Sequence, residues 1–498
     1  MNEMMILIGI ILIISIWSTK LSNKASIPVL LIFIAIGMFA HAEGFRAVHM
    51  QDKTVEYAIG SFTMAFILFG GGLDTDIYHV RKYWKEGAVL SFGGVIITTL
   101  LFAIPVHYLA NFSYPMSLLI GAAVASTDAA AVFNVLKSAK GVVNNKLSSV
   151  LELESGSNDP IAYVLVLIFI EIVLSGGKVP IGHFILFFIL QIIIGGAIGY
   201  IFGVLTTKIF VKSKINVPEL YVILILAVVL LTYGMAEILE GNPFLAVYVL
   251  GIFIRSRKLM YKNSTIRFFS VISWVMQIIL FVSLGFQIFP KELTEMWVSR
   301  SLLALILIFI IRPIAVFSLL QLFGKKYHFK DKLFLAWGGL KGAVPIVFAA
   351  LIYSKGVGAD SSIFNFIFYI VVFSVLVQGS TLSWLGRKLG VIVENRKNFK
   401  ESISIDEIEY FEDQLIEVQI VPHSCFQAKE IRDIRLPMTA LIVSVIRERE
   451  YIYPKASLVL EIGDRLLISA ENREELMNFI EKQHLFIENR KSGKIDTE

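Results

Sequence analysis

Cysteine is all but missing. Cys425 is the single one in 498 residues, which excludes a disulfide framework and a cysteine metal cluster. The eight histidines show no HExxH or comparable ligand spacing. No GxGxxG opens a strand–helix unit, so a dinucleotide cofactor is not expected. A TVGYG-like filter is absent, which argues against a gated potassium channel, and the lack of a GxGD motif argues against an intramembrane protease. Charge is scarce too, at 17% of residues against 56% hydrophobic. A soluble protein of this length could not hide that much apolar surface, so the excess must face lipid. The net charge of +5 lies mostly in short loops between apolar runs. Topology accounts for it there, and nucleic acid is not an expected partner.

What is present divides into two bodies. Residues 1–386 carry long apolar runs, 387–402 read as a linker, 403–485 as a small cytoplasmic α+β domain and 486–498 as a tail. The first run, Met4 to Ser18, lacks the basic start and cleavage site of a signal peptide and reads as a retained span. Spans are expected at 4–18, 27–41, 56–73, 86–110, 116–136, 148–174, 181–207, 217–239, 243–255, 266–289, 299–322, 332–353 and 361–385, each approaching the ~20 residues that cross hydrocarbon. Loops after odd-numbered spans, with the span ends that adjoin them, carry 20 Lys and Arg, and those after even-numbered spans carry 6. Positive charge marks the cytoplasmic side, which puts the N-terminus outside and the C-terminal domain in the cytoplasm.

Four spans hold polar residues that lipid would reject. The fifth contains Ser126-Thr127-Asp128 amid small residues, and the sixth contains Glu152, Glu154, Ser155, Asn158, Asp159 and Pro160. The eleventh holds Arg312-Pro313, and the twelfth holds Gly338-Gly-Leu-Lys341-Gly-Ala-Val. A charge at mid-span costs roughly 2.5–3.5 kcal/mol, so these groups must pair or line a wet cavity. The alternative starts the sixth span at Pro160, which leaves it about 15 residues long, short for a crossing. On one helix Glu154 and Asn158 are i,i+4 neighbours, as are Ser155 and Asp159, and all four fall within an arc of about 140°. Such a wall of oxygens suits a hard cation. The small-residue interruptions of spans five and twelve lie seven spans apart, an odd separation that inverts topology. Broken helices in inverted repeats are a signature of secondary transporters.

Thr127-Asp128, Glu154-x-x-x-Asn158-Asp159-Pro160, Arg312-Pro313 and Gly338-Gly-Leu-Lys-Gly-Ala-Val together resemble the cation:proton antiporter-1 family, especially its NhaP-like bacterial members. The resemblance covers roughly residues 5–390. It implies an all-α polytopic fold of about 13 helices, with inverted repeats and two crossed discontinuous helices, in the plasma membrane as a homodimer. It further implies that Asp159 binds cation or proton. Ser155 and the Thr127 carbonyl would coordinate the cation, and Asp128 would help directly or through water. Asn158 would hold the crossing, and Glu154 would pair with Arg312 as a structural bridge. Lys341 stands where the family more often has Arg, and Gly70 stands where the third span usually carries an acid.

A carboxylate shared between a metal ion and a proton gives exchange once it is exposed alternately to the two faces. Asn rather than a second acid before Asp159 suggests one cation for one proton, electrically neutral overall. In the tail, Gln414 to Val421, Ala440 to Arg447 and Arg465 to Ala470 alternate like strands, and Ala428 to Arg432 and Asn472 to Lys482 favour helix. Ile446-Arg447, Tyr453-Pro454 and Leu460-Glu-Ile-Gly463-Asp464 resemble the TrkA-C (RCK_C) lobe of potassium-conductance regulators. That resemblance implies dimerisation, no resident cofactor, a small regulatory ligand such as cyclic di-AMP, and a tilt toward K⁺ over Na⁺. A purely structural dimerisation module is the alternative.

Overall fold

The structure is a computed structural model. It describes residues 6, 9–18, 29–42, 53–75, 77–138, 141–176, 180–212, 217–257, 262–286, 297–358 and 362–394, then 415–420, 426–434, 436–437, 440–447, 450–470 and 486–487. These fall into two compact units, Met1–Asn395 and Arg396–Glu498.

The first unit is helical. In chain order it holds α1 (Gly9–Ser18), α2 (Val29–Ala42), α3 (Lys53–Asp74), α4 (Ile77–Ala110), α5 (Tyr114–Ala125) and α6 (Ala129–Ser138). A short strand β1 (Gly141–Val143) precedes α7 (Asn145–Leu174), α8 (Ile181–Lys212), α9 (Pro218–Ile238), α10 (Pro243–Ser256) and α11 (Lys262–Phe286). Then come α12 (Trp297–Gln321), α13 (Phe329–Trp337), α14 (Val344–Ser354), α15 (Ser362–Leu389) and β2 (Ile392–Glu394). Taking α5–α6 and α13–α14 as broken spans, each expected span meets a helix. Among the described residues eight helices are long and apolar enough to cross a membrane, and α5–α6, bent by 42°, makes a ninth. Shorter apolar helices lie in α1, α2, α10 and α14.

Local chemistry sets the helix ends. The Asn144 side chain accepts from the Lys146 N–H to start α7, and Asn242 caps α10 by accepting from the Leu245 N–H, ahead of Pro243. Gly390, at φ +70°, closes α15 in the left-handed conformation that glycine alone adopts without strain. Within α12 one π turn spans Leu307–Ile311, just before Arg312-Pro313. Proline supplies no N–H to the ladder, so the helix widens there and re-aims Arg312.

Two groups of helices pack chiefly among themselves. One comprises α4, α5–α6, α7, α12, α14 and α15; the other comprises α2, α3, α8, α9, α10 and α11. Close approach within the second group depends on glycine. A Cβ on Gly72 would lie 2.5 Å from the Tyr248 carbonyl oxygen, and one on Gly37 would lie 2.2 Å from that of Val282. Much of α8 is exposed, including Ile185, Leu186, Ile189 and Ile193, as lipid-facing surface requires.

The first residues of the stretch read as a linker, 387–394, are structured. Arg387 to Leu389 finish α15, and β2 pairs antiparallel with β1, Val142 opposite Val393. Arg387 and Lys388, two of the basic residues that suggested a linker, are the basic last turn of a helix. In the second unit a five-stranded antiparallel sheet runs β5-β4-β6-β3-β7, from β3 (Leu415–Gln419), β4 (Ala440–Arg447), β5 (Glu450–Ile452), β6 (Arg465–Ala470) and β7 (Phe486–Ile487). β7 lies past residue 485, so the sheet takes in the start of the stretch read as a tail. Val418, Ile420, Phe426, Val445, Leu460, Leu466 and Ile468 form its core. The Arg447 guanidinium donates twice to the buried Asp464 carboxylate, both bonds at 2.7 Å, which joins two parts of the tail motif. Residues 428–432 are not an α-helix. Ala428 has φ +62°, and only Ile431–Asp433 form a 3₁₀ turn. The expected helix at 472–482 lies outside the described residues.

Candidate cation site

The two helix breaks meet. α5 stops at Ala125 and α6 resumes at Ala129, while α13 ends at Trp337 and α14 starts at Val344. Across the gap the Asp128 N–H donates to the Leu340 carbonyl at 2.8 Å. Breaking a helix inside a bilayer leaves carbonyls at one stump and N–H groups at the other, and each needs a partner. The Lys341 ammonium supplies one set, donating to the Ala125 and Ser126 carbonyls at 3.2 and 3.1 Å. This places a cation at the negative end of the α5 half-helix. Asp128 serves the other stump, where its Oδ1 accepts the Ala131 N–H at 3.0 Å.

α7 clamps the crossing. The Asn158 amide donates to Thr127 Oγ1 at 2.7 Å and accepts the Thr127 N–H at 3.4 Å. Ser155 Oγ donates to the Thr127 carbonyl at 2.8 Å and accepts the Ala129 N–H at 2.9 Å. Both oxygens expected to coordinate a cation, Ser155 Oγ and Thr127 O, are therefore bonded to each other here. Asp159 is buried beside Asp128, Ser126 and Lys341, and its Oδ1 has no hydrogen-bond partner among the described residues. A sealed carboxylate oxygen with nothing to bind is costly unless it takes a proton or a cation. Asp128 is half-buried.

Glu154 and Arg312 form an ion pair at 2.6 Å, both nearly inaccessible. The glycines of the twelfth span are spacers. A Cβ on Gly339 would sit 2.3 Å from Arg312 Nε, and one on Gly342 would sit 2.2 Å from Asp128 Oδ2. Gly156 likewise leaves room for the Tyr248 ring. Gly70, where an acid was expected by resemblance, packs against Ser273. A Cβ there would lie 2.3 Å from Ser273 Oγ, so this chain has no room for that side chain as it stands.

All the expected site residues, Asp159, Asp128, Thr127, Ser155, Asn158, Glu154, Arg312 and Lys341, lie at or beside the crossing. Sequence reasoning missed its support. Ser374 Oγ accepts the Lys341 N–H at 3.3 Å and donates to Gln378 at 2.6 Å, and Gln378 donates to the Trp337 carbonyl at 3.0 Å. The signal was a lone glutamine in an apolar run, within a π turn at Val375–Gly379.

Crossed broken helices around a buried carboxylate define a secondary ion transporter, a multi-pass membrane protein rather than an enzyme. The chain belongs to the sodium/hydrogen exchanger transmembrane family, which it matches over residues 8–388, and it is a cation/proton antiporter. It is 31% identical to the K(+)/H(+) antiporter NhaP of Alkalimonas amylolytica over 471 residues, covering 94% of this chain and 81% of that protein. It is also 31% identical to the K(+)/H(+) antiporter NhaP2 of Shewanella oneidensis over 475 residues, covering 95% and 82%. In fold it is similar to the sodium proton antiporter MjNhaP1 from Methanocaldococcus jannaschii at pH 8, with a TM-score of 0.64 and 22% identity, over 76% of this chain and all of that one.

Proposed function

We propose that the protein exchanges K⁺ in preference to Na⁺ for protons across the plasma membrane, one for one and without net charge movement, with cation and proton competing for Asp159. The observation that carries this reading is the unpartnered, buried Asp159 oxygen beside Asp128 at the crossed helices. Cation entry requires the Ser155 hydroxyl to turn away from the Thr127 carbonyl, which frees both oxygens as ligands, while Asp128 contributes a second carboxylate. Asn158 and Lys341 hold the crossing in shape, and the Glu154–Arg312 bridge fixes α7 against α12. The preference for K⁺ is supported by the two relatives that carry K(+)/H(+) in their names. Asn158 in place of a second acid supports neutrality, since only one carboxyl at that point of α7 changes its proton.

The C-terminal sheet is a TrkA-C-like regulatory lobe in this reading. The Arg447–Asp464 pairing at its motif supports that assignment, and cyclic di-AMP is a candidate ligand. The charge bias of the loops supports a cytoplasmic lobe, and in this reading the functional unit is a homodimer. In everted vesicles, adding K⁺ should dequench a pH dye in the native protein at lower concentration than Na⁺ does, with no dependence on membrane potential. Asp159→Asn should remove the response. A response retained in Asp159→Asn removes the proposed site, and strong acceleration by a valinomycin-set potential removes the one-for-one exchange.

A further inference from the structure

One turn beyond Asp159 on α7, Tyr163 presents to the same face and is buried. Its ring meets Phe244 of α10 edge-on at 4.9 Å and Phe348 of α14 at 6.1 Å, and Phe244 in turn meets Tyr233 of α9 at 5.9 Å. Tyr57 of α3 lies beside Tyr163, and Ser61, one turn further on, lies beside both Tyr57 and Tyr233. Rings from five helices thus converge. Tyr163 and Phe348 come from the helix group that carries Asp159, and Tyr57, Tyr233 and Phe244 come from the other. The cluster straddles the seam along which the two groups would slide. Glu237, one turn past Tyr233, is exposed near the end of α9 and acts electrostatically on Tyr57, Tyr163 and Tyr233.

We propose that this aromatic cluster is the gate that closes Asp159 toward the end of the bundle where α3 begins and α9 finishes, and that Glu237 gathers cations at its mouth. The inference rests on Asp159 as the exchange site. Packed rings exclude the water a cation needs, which suits a barrier. Three tyrosine hydroxyls along the same seam give a passing ion polar edges once the rings part, which suits a path. The ring contacts between the groups break when the groups slide, whereas the Tyr233–Phe244 contact within one group can persist. Asp128, half-buried at the crossing, retains accessible surface in the same conformation. Weakening the cluster then joins the two sides and short-circuits the exchange. A carboxylate at the rim raises local cation concentration without touching the bound ion, an effect that salt screens.

The test uses the full chain in proteoliposomes, with tracer Rb⁺ or Na⁺ uptake and proton movement followed together. Tyr163→Ala should let tracer run downhill several-fold faster than native, with fewer protons moved per cation, and Tyr163→Phe should restore the native ratio. Glu237→Gln should raise the apparent KM for cation several-fold at low ionic strength, converge with native at high salt, and leave kcat unchanged. Should Tyr163→Ala fail to insert, Tyr233→Ala and Phe244→Leu serve the same comparison. Native coupling in the alanine variants, or slower exchange with no added leak, overturns the gate. Asp159→Asn separates the two ideas. Exchange surviving in it overturns the site reading, whereas its loss alongside native coupling in Tyr163→Ala overturns the gate alone.

Discussion

Replacing Glu154 by Gln should destabilise the protein far more than it perturbs the crossing directly. The carboxylate is the ion-pair partner of Arg312, 2.6 Å away, and the two side chains expose 1% and 3% of their surface. The guanidinium cannot shed its charge, so the substitution leaves a cation in low dielectric with a neutral amide for company. Removing one member of a buried pair costs about 3–5 kcal/mol, which is about two to three and a half orders of magnitude in the folding equilibrium. The space is tight on one side as well, since a Cβ on Gly339 would clash with Arg312 Nε. The assay is thermal unfolding in detergent, followed by size-exclusion of the heated sample. Glu154→Gln should fall by several degrees. Glu154→Gln with Arg312→Met should recover most of the loss, because two neutral side chains leave nothing to compensate. An unchanged midpoint in Glu154→Gln, or a double variant worse than the single one, would refute the reasoning.

Further outcomes follow from the same geometry. Gly342→Ala should insert normally yet lose at least tenfold in exchange rate, because its Cβ lands on the Asp128 carboxylate and overpacking of this kind costs roughly 1–3 kcal/mol; vesicle dequenching reads it. Lys341→Met should strip the Ala125 and Ser126 carbonyls of their donor and abolish exchange, and Lys341→Arg should keep part of it. Gly70→Asp should express poorly alone and recover with Ser273→Gly, which removes the hydroxyl its Cβ meets. A chain ending at Asn395 retains the β1–β2 pairing and should still exchange ions. One ending at Leu389 loses the strand that pairs with the α6–α7 connection and should unfold at lower temperature.

Much of the membrane unit was legible because lipid imposes one rule on every span. Apolar runs gave the helices, and polar residues within them could only mark the site. Thr127, Asp128 and Gly338 to Ala343 revealed the breaks through small residues and stranded polarity. Less could be read where function depends on three-dimensional neighbours. Nothing along the chain ties Gln378 to Lys341, or Tyr163 to Phe244, since each pair is brought together by helix packing. Gly70 read as a missing acid, and only the packing shows that a Cβ there would meet Ser273, 203 positions away in sequence. The end of α15 was misread for a local reason. A basic helix terminus and a basic linker have the same composition, and β2 is too short to announce itself by alternation.

The most direct measurement is the apparent KM for K⁺ in proteoliposomes as a function of pH, with Vmax recorded alongside. One carboxylate shared by two ions requires KM to rise about tenfold for each unit fall in pH once the proton dominates the site, with Vmax nearly constant. A KM that stays flat while Vmax falls would mean that the proton acts elsewhere, and Asp159 would not be where the two ions meet.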